Sequence, residues 1–346
     1  MKQKILILQI AATYVGTVVG AGFASGQSIL QFFTVYGAWG ETAILISTFL
    51  FIWIGTKMMM LARRIKAFSF QELNHYLFGK TFGKVANILM FILLLGVTSV
   101  MLSGTGSIFE EQLGLPYQLG IITSIVLSYL VMTKQIKGIL AVNSLVVPMM
   151  LFFMALIAAN AIDLDELPQF MKLHNEERPD YKWLITPFSY VALNIAFVQA
   201  VMVPLANEVS NDRALQWGGF WGGIGLGAML LVSHYAMHAK MPDIQRFDIP
   251  MAEIIRDYGP FMHILFLLVI YGEIFTTLIG NVFGIARQMQ SRYELPTSWL
   301  VLIILLASFL VSQIGFASLL TYLYPLFGYM GIILLIFLAA KRVPAH

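Results

Sequence analysis

One acidic side chain stands deep in an apolar run, and hydroxyl residues follow it at helical spacing. Glu273 opens the stretch Glu273-Ile274-Phe275-Thr276-Thr277-Leu278-Ile279-Gly280, with Gly284 one turn further on. Residues three and four apart lie one above another on a helix, so positions 273, 276, 277, 280 and 284 share a face. That face shows a carboxylate, two hydroxyls and two glycines. Hard cations take oxygen ligands, and an ionisable group among apolar residues is a functional-site hypothesis by default. Glu273 could ligate sodium, carry a proton or bind a cationic solute. Desolvation and a neighbouring cation act on a carboxyl's proton affinity in opposite senses, so ion binding there can be linked to titration. The alternative is a carboxylate paired structurally with donors of another segment.

A second stretch concentrates backbone chemistry. Gly16-Thr17-Val18-Val19-Gly20-Ala21-Gly22-Phe23-Ala24-Ser25-Gly26-Gln27 puts four glycines and two hydroxyls inside an apolar segment. Glycine weakens a helix and admits unusual backbone angles. Lipid tolerates unwound backbone only where protein or a water-filled cavity receives its polar groups. The stretch therefore predicts a discontinuous helix whose second half begins near Gly22–Ser25. Its free N–H groups, at Gly20, Ala21 and Gly22, would face an anion, and carbonyls released from the first half would face a cation. The competing reading is a small-residue packing face, because Gly16 and Gly20 also fit small-xxx-small spacing.

The elements that must position these residues are membrane helices. Apolar residues make up 59% of the 346-residue chain and charged ones 11%, with mean hydropathy +0.80, against about 45–50% and 25% in soluble domains. Such a chain cannot cover its surface with polar groups, so lipid must be its solvent. Ten apolar segments are long enough to span: about 5–34, 38–62, 83–109, 117–133, 139–162, 184–207, 215–238, 260–289, 297–314 and 317–340. Fifteen of the 21 lysines and arginines fall on one side of this arrangement, which places both termini in the cytoplasm. With no cysteine, thiolate chemistry and disulfides are excluded. Enzyme and nucleotide-binding motifs are absent, and the basic residues sit in loops, so neither catalysis nor nucleic-acid binding is indicated.

The acidic loop at about 163–182 divides the single domain (1–346) into halves at about 5–162 and 184–340, each with five segments. An odd number inverts the second half relative to the first, as in the inverted repeats of secondary transporters. Segment 6 is then the partner of segment 1. It carries the amides Asn194 and Gln199, Phe197, and Pro204, which predicts a second discontinuity. Asn194 as ordinary interhelical glue is the other reading. Segment 3 presents Ser99 and Ser103 on a small-residue stripe that could line the pathway or simply pack. The loop at 66–80 reads as an interfacial helix, the loop at 240–258 as holding a short helix from Pro250, and His234 and His238 as interfacial side chains.

The run Gly-Thr-Val-Val-Gly-Ala-Gly-Phe-Ala-Ser-Gly-Gln at 16–27, with Ser-Ile-Leu-Gln-Phe-Phe after it, resembles the opening of the YkvI-like membrane proteins. These are similar to the amino acid–polyamine–organocation (APC) superfamily. The resemblance implies a LeuT-type fold: ten transmembrane helices in a five-plus-five inverted repeat, with helices 1 and 6 discontinuous. It also implies a sodium site from the hydroxyls of Thr276 and Thr277 and the backbones of Gly16 and Val19, with Glu273 one turn before the hydroxyl pair. A solute would lie at the midplane among Gly20, Ala21, Gly22, Phe23, Ser25, Ser99, Ser103, Asn194, Phe197 and Gln199.

The expectation is thus an all-α integral membrane protein of the cell (inner) membrane. It would act as a sodium- or proton-coupled carrier of an amino acid or a related zwitterionic or cationic solute. No cofactor is expected beyond a bound sodium ion. A non-transporting solute sensor on the same fold and an ion channel are the alternatives.

Overall fold

The computed structural model describes residues 2–161, 181–247, 249–290 and 295–344. Most of the acidic loop at 163–182 lies outside them. The described residues are helical, without strands. The helices are α1 (Lys2–Val18), α2 (Ala21–Ala24), α3 (Gln27–Phe32), α4 (Ala38–Leu50), α5 (Thr56–Arg64), α6 (Phe70–Ser107), α7 (Tyr117–Met132) and α8 (Gln135–Ala161). After the gap come α9 (Thr186–Glu208), α10 (Asp212–His238), α11 (Pro250–Arg256), α12 (Pro260–Gln290), α13 (Thr297–Ser312) and α14 (Phe316–Ala340).

Local sequence explains several ends. Asn211 caps α10, its side chain accepting from the N–H groups of Arg213 at 3.0 Å and Ala214 at 3.4 Å. Prolines stand at the starts of α9, α11 and α12, where their missing N–H costs nothing. In the long α6, Gly79 has φ 77° and ψ 179°, a conformation that favours glycine. It separates a short helix over 70–78, within the predicted interfacial stretch, from the long run that follows. The predicted helix at Pro250 is α11.

Among the described residues, five stretches are long and apolar enough to cross a membrane: Ala38–Arg64, Phe70–Gln112, Thr186–Glu208, Asp212–His238 and Pro260–Gln290. Large apolar side chains face outward along the helices, among them Phe82 at 73% exposure and Leu310 at 72%. Such a surface fits lipid, so the chain is a multi-pass membrane protein.

Inside, α9 is buried along almost its whole length and is the hub. The helix α1 packs most extensively on α10, where glycines admit it closely. A Cβ at Gly218 would come within 2.4 Å of Ile10, and one at Gly222 within 2.6 Å of Tyr14.

Two expectations are corrected. The helix α9 runs unbroken from Thr186 to Glu208, so the predicted discontinuity of helix 6 is not there. Pro204 stands one turn from its end, where it removes a single ladder bond, and Asn194 donates to Tyr190 O at 2.8 Å within the helix. His234 is fully buried rather than interfacial, its Nδ1 3.3 Å from Thr34 Oγ1.

An ion-pair cluster clamps α5 to α10. Arg63 and Arg64 both reach Asp212, and Arg63 also donates to Ser210 O. The side chains are 16–23% exposed, so solvent screens them only in part. Asp212→Asn is expected to cost about 1–2 kcal/mol, because it leaves two guanidinium groups without their carboxylate. Thermal unfolding in detergent checks it, and the loss should shrink as salt rises.

Candidate functional site

The first membrane segment is broken twice. The helix α1 ends at Val18, and its last ladder bond runs from Val19 N to Val15 O at 2.8 Å. A new turn starts at once, with Ala24 N donating to Gly20 O at 2.8 Å. The second break falls at Ser25–Gly26. Gly26 has φ 84°, and a Cβ there would lie 2.7 Å from Met251 Cγ. The Ser25 carbonyl is taken up by Met251 N of α11 at 2.9 Å. Glycine density thus marked a real discontinuity, and it falls on both sides of the predicted Gly22–Ser25.

The first break faces α12. Thr276 Oγ1 donates to Gly16 O at 3.3 Å and to Glu273 O at 2.9 Å. Thr277 Oγ1 donates to Val19 O at 3.2 Å. Gly20 must be small, since a Cβ there would sit 2.8 Å from Thr277 Oγ1. Two hydroxyl and three carbonyl oxygens therefore gather where α1 stops. The Glu273 side chain is fully buried, and neither carboxylate oxygen has a hydrogen-bond partner among the described residues. A buried carboxyl without partners must hold a proton or meet a cation. Hard cations take oxygen-only donor sets of this kind. All five sequence-predicted cation residues, Gly16, Val19, Glu273, Thr276 and Thr277, come together at this junction.

A narrow cavity of about 20 Å³, room for about one water, adjoins it. Val18, Gly20, Gly22, Phe23 and Ser28 line it from the broken segment, and Thr277 from α12. Tyr190, Leu193, Asn194 and Phe197 line it from α9, and Val97 and Met101 from α6. Tyr190 is held by an aromatic cluster, with ring centroids 4.9 Å from Phe33 and 5.3 Å from Phe32. Among the described residues its wall holds no carboxylate, amine, guanidinium or imidazole, only hydroxyl, amide and backbone polar groups.

Of the predicted solute residues, Gly20, Gly22, Phe23, Asn194 and Phe197 line this cavity. Ala21 opens α2 beside them. Ser25 is spent on the second break, its Oγ accepting from Gln27 N at 3.3 Å. Ser99 and Ser103 point elsewhere: Ser99 Oγ donates to Leu95 O at 2.9 Å, and Ser103 Oγ pairs with Tyr117 OH at 2.6 Å. Val97 and Met101, four apart, fix the inward face of α6, and residues two further on lie about 200° around the helix. Gln199 is also displaced, its Nε2 3.2 Å from Met90 Sδ. The spacing Tyr190, Leu193, Asn194, Phe197 (i, i+3, i+4, i+7) was the available signal for the missed Tyr190 and Leu193.

A second, wider crevice lies between α1, α8 and α9. Gln9, Thr13, Asn143, Ser144 and Glu208 are its polar lining. Of this lining, Asn143 lies against Gly16.

No family model matches the chain. Among solved structures, the backbone is similar to MhsT in complex with L-phenylalanine, with TM-score 0.70 at 15% identity over 95% of this chain and 87% of that one. It is also similar to a Na+-coupled sialic acid symporter in a substrate-bound outward-open state, with TM-score 0.69 at 12% identity over 94% and 76%. These likenesses show an all-helical fold shared with LeuT-type proteins. In sequence, the chain is 25% identical over 341 residues to the protein YyaD of Bacillus subtilis (strain 168), covering 97% of this chain and 95% of that one. It is 41% identical over 336 residues to the membrane protein YkvI of the same organism, covering 97% and 96%. With that identity sustained from end to end, the chain belongs to the YkvI family of membrane proteins.

Proposed function

We propose that this protein is an ion-coupled secondary transporter for an amino acid or a related small zwitterionic or cationic solute. The observation that carries this reading is the meeting of Thr276 and Thr277 with the carbonyls of Gly16 and Val19 where α1 breaks. The solute cavity shares Thr277 with that junction. Sodium supplies a positive charge at the junction when bound, and Glu273 offers it a negative one; a proton on Glu273 is the alternative coupling ion. In the cavity, the N–H groups of Gly20, Ala21 and Gly22 receive the solute's carboxylate. Asn194 meets its polar end, and Phe23 and Phe197 close over it.

In this reading the chain crosses the cell membrane ten times, with both termini cytoplasmic, as two inverted five-helix repeats. The group α1–α5 with α9 and α10 rocks against α6, α7, α12 and α13 to expose the solute to each side in turn. The Asp212 clamp lies within the first group and lets it move as a body.

Uptake into proteoliposomes tests this. A panel of amino acids and amines is offered with an inward sodium gradient, with a proton gradient, and with neither. Accumulation of one solute class that collapses with the gradient is expected. Binding detected by thermal shift without accumulation indicates a sensor, and conductance without saturable uptake a channel.

A further inference from the structure

Asn143 stands on α8, away from the residues with which the sequence marks the site. Its side chain is 2% exposed, and its Oδ1 has no hydrogen-bond partner among the described residues. Buried amide oxygens are ordinarily satisfied, so an orphan needs a reason. This one is lodged against Gly16: a Cβ there would come within 2.8 Å of Asn143 Oδ1 and 2.7 Å of Val147 Cγ2. Gly16 is also the residue whose carbonyl meets Thr276 Oγ1 at 3.3 Å. Oxygens from α1, α8 and α12 therefore collect around one residue, and both Glu273 oxygens lack partners too. Buried acceptors in excess of donors call for a cation, a proton or an ordered water. Asn143 also lines the crevice with Gln9, Thr13 and Glu208. It thus touches both Gly16 and the crevice.

We propose that the side-chain oxygen of Asn143 is a further ligand of the coupling cation, supplied by α8 where the ion meets the crevice. This rests on the ion-coupled reading above and adds a residue to it. An amide oxygen is a hard donor without charge, so Glu273 remains the one anionic ligand. The site is then neutral with a monovalent ion and over-charged with a divalent one.

The test is thermal unfolding of the full chain in detergent, titrated with sodium at constant ionic strength against potassium. Asn143→Leu keeps the shape and removes the oxygen. It is expected to raise the half-maximal sodium concentration by about tenfold, with the melting temperature in potassium unchanged or higher. Asn143→Asp keeps an oxygen and adds charge, and is expected to gain stabilisation by calcium that the unmodified protein lacks. If Asn143→Leu leaves the sodium midpoint in place while Thr276→Ala moves it, the ligand assignment is overturned and the coupling site stands. A flat sodium response in the unmodified protein overturns the sodium reading and this ligand with it. Should Asn143→Leu not fold, Asn143→Asp decides: a calcium response supports the ligand, and none overturns it.

Discussion

Thr277→Ala is expected to raise the sodium concentration for half-maximal uptake by about ten- to a hundredfold, with little loss of folded protein. Its Oγ1 is 3.2 Å from Val19 O and also lines the solute cavity. Removing one partner of a buried polar contact costs about 1–3 kcal/mol, and each 1.4 kcal/mol is about tenfold in affinity. The loss falls on the ion-bound state, where the oxygen would be a ligand, while the empty protein loses only one modest hydrogen bond. Thr277→Ser keeps the hydroxyl and should restore most of the sodium response, which separates chemistry from packing. Initial uptake rates against sodium, with melting curves on the same preparations, decide it. A midpoint within about twofold of the unmodified protein would place the coupling site elsewhere.

Glu273→Gln should act oppositely on function and stability. Coupled uptake is expected to fall about a hundredfold, because glutamine can neither neutralise a cation nor carry a proton. The melting temperature in potassium should stay level or rise, since the substitution removes a buried carboxyl whose two oxygens have no partner among the described residues. Residues kept at a stability cost are typical of functional sites. A clear destabilisation, with uptake preserved, would instead mean that Glu273 is a structural anchor.

How far these residues could be read from sequence depended on whether the signal was local. The face Glu273, Thr276, Thr277, Gly280 is a spacing along one helix, and the structure keeps it intact. The glycine run at 16–26 is equally local, and it breaks the first segment at Val19–Gly20 and Ser25–Gly26. Where a residue's role depends on which way a helix is turned, the sequence was silent. Ser99 and Ser103 sit on a stripe as regular as that of Val97 and Met101, and only the packing of α6 against its neighbours, α12 foremost, chooses between them. Pro204 looked like a break because proline removes a ladder bond, yet near a helix end the cost is small. Asn143 was invisible for a further reason: its meaning comes from Gly16, which lies on another helix.

The shared position of Thr277, bonded to Val19 on one side and bordering the cavity on the other, has a thermodynamic consequence. In the proposed reading an ion and a solute both meet this side chain, so their binding is expected to be coupled. By linkage, whatever factor the ion applies to the solute's affinity, the solute must apply to the ion's. The coupling can therefore be measured from either end at equilibrium, without a membrane or a gradient. Closing that cycle would give one free energy that characterises the proposed carrier before any flux is recorded.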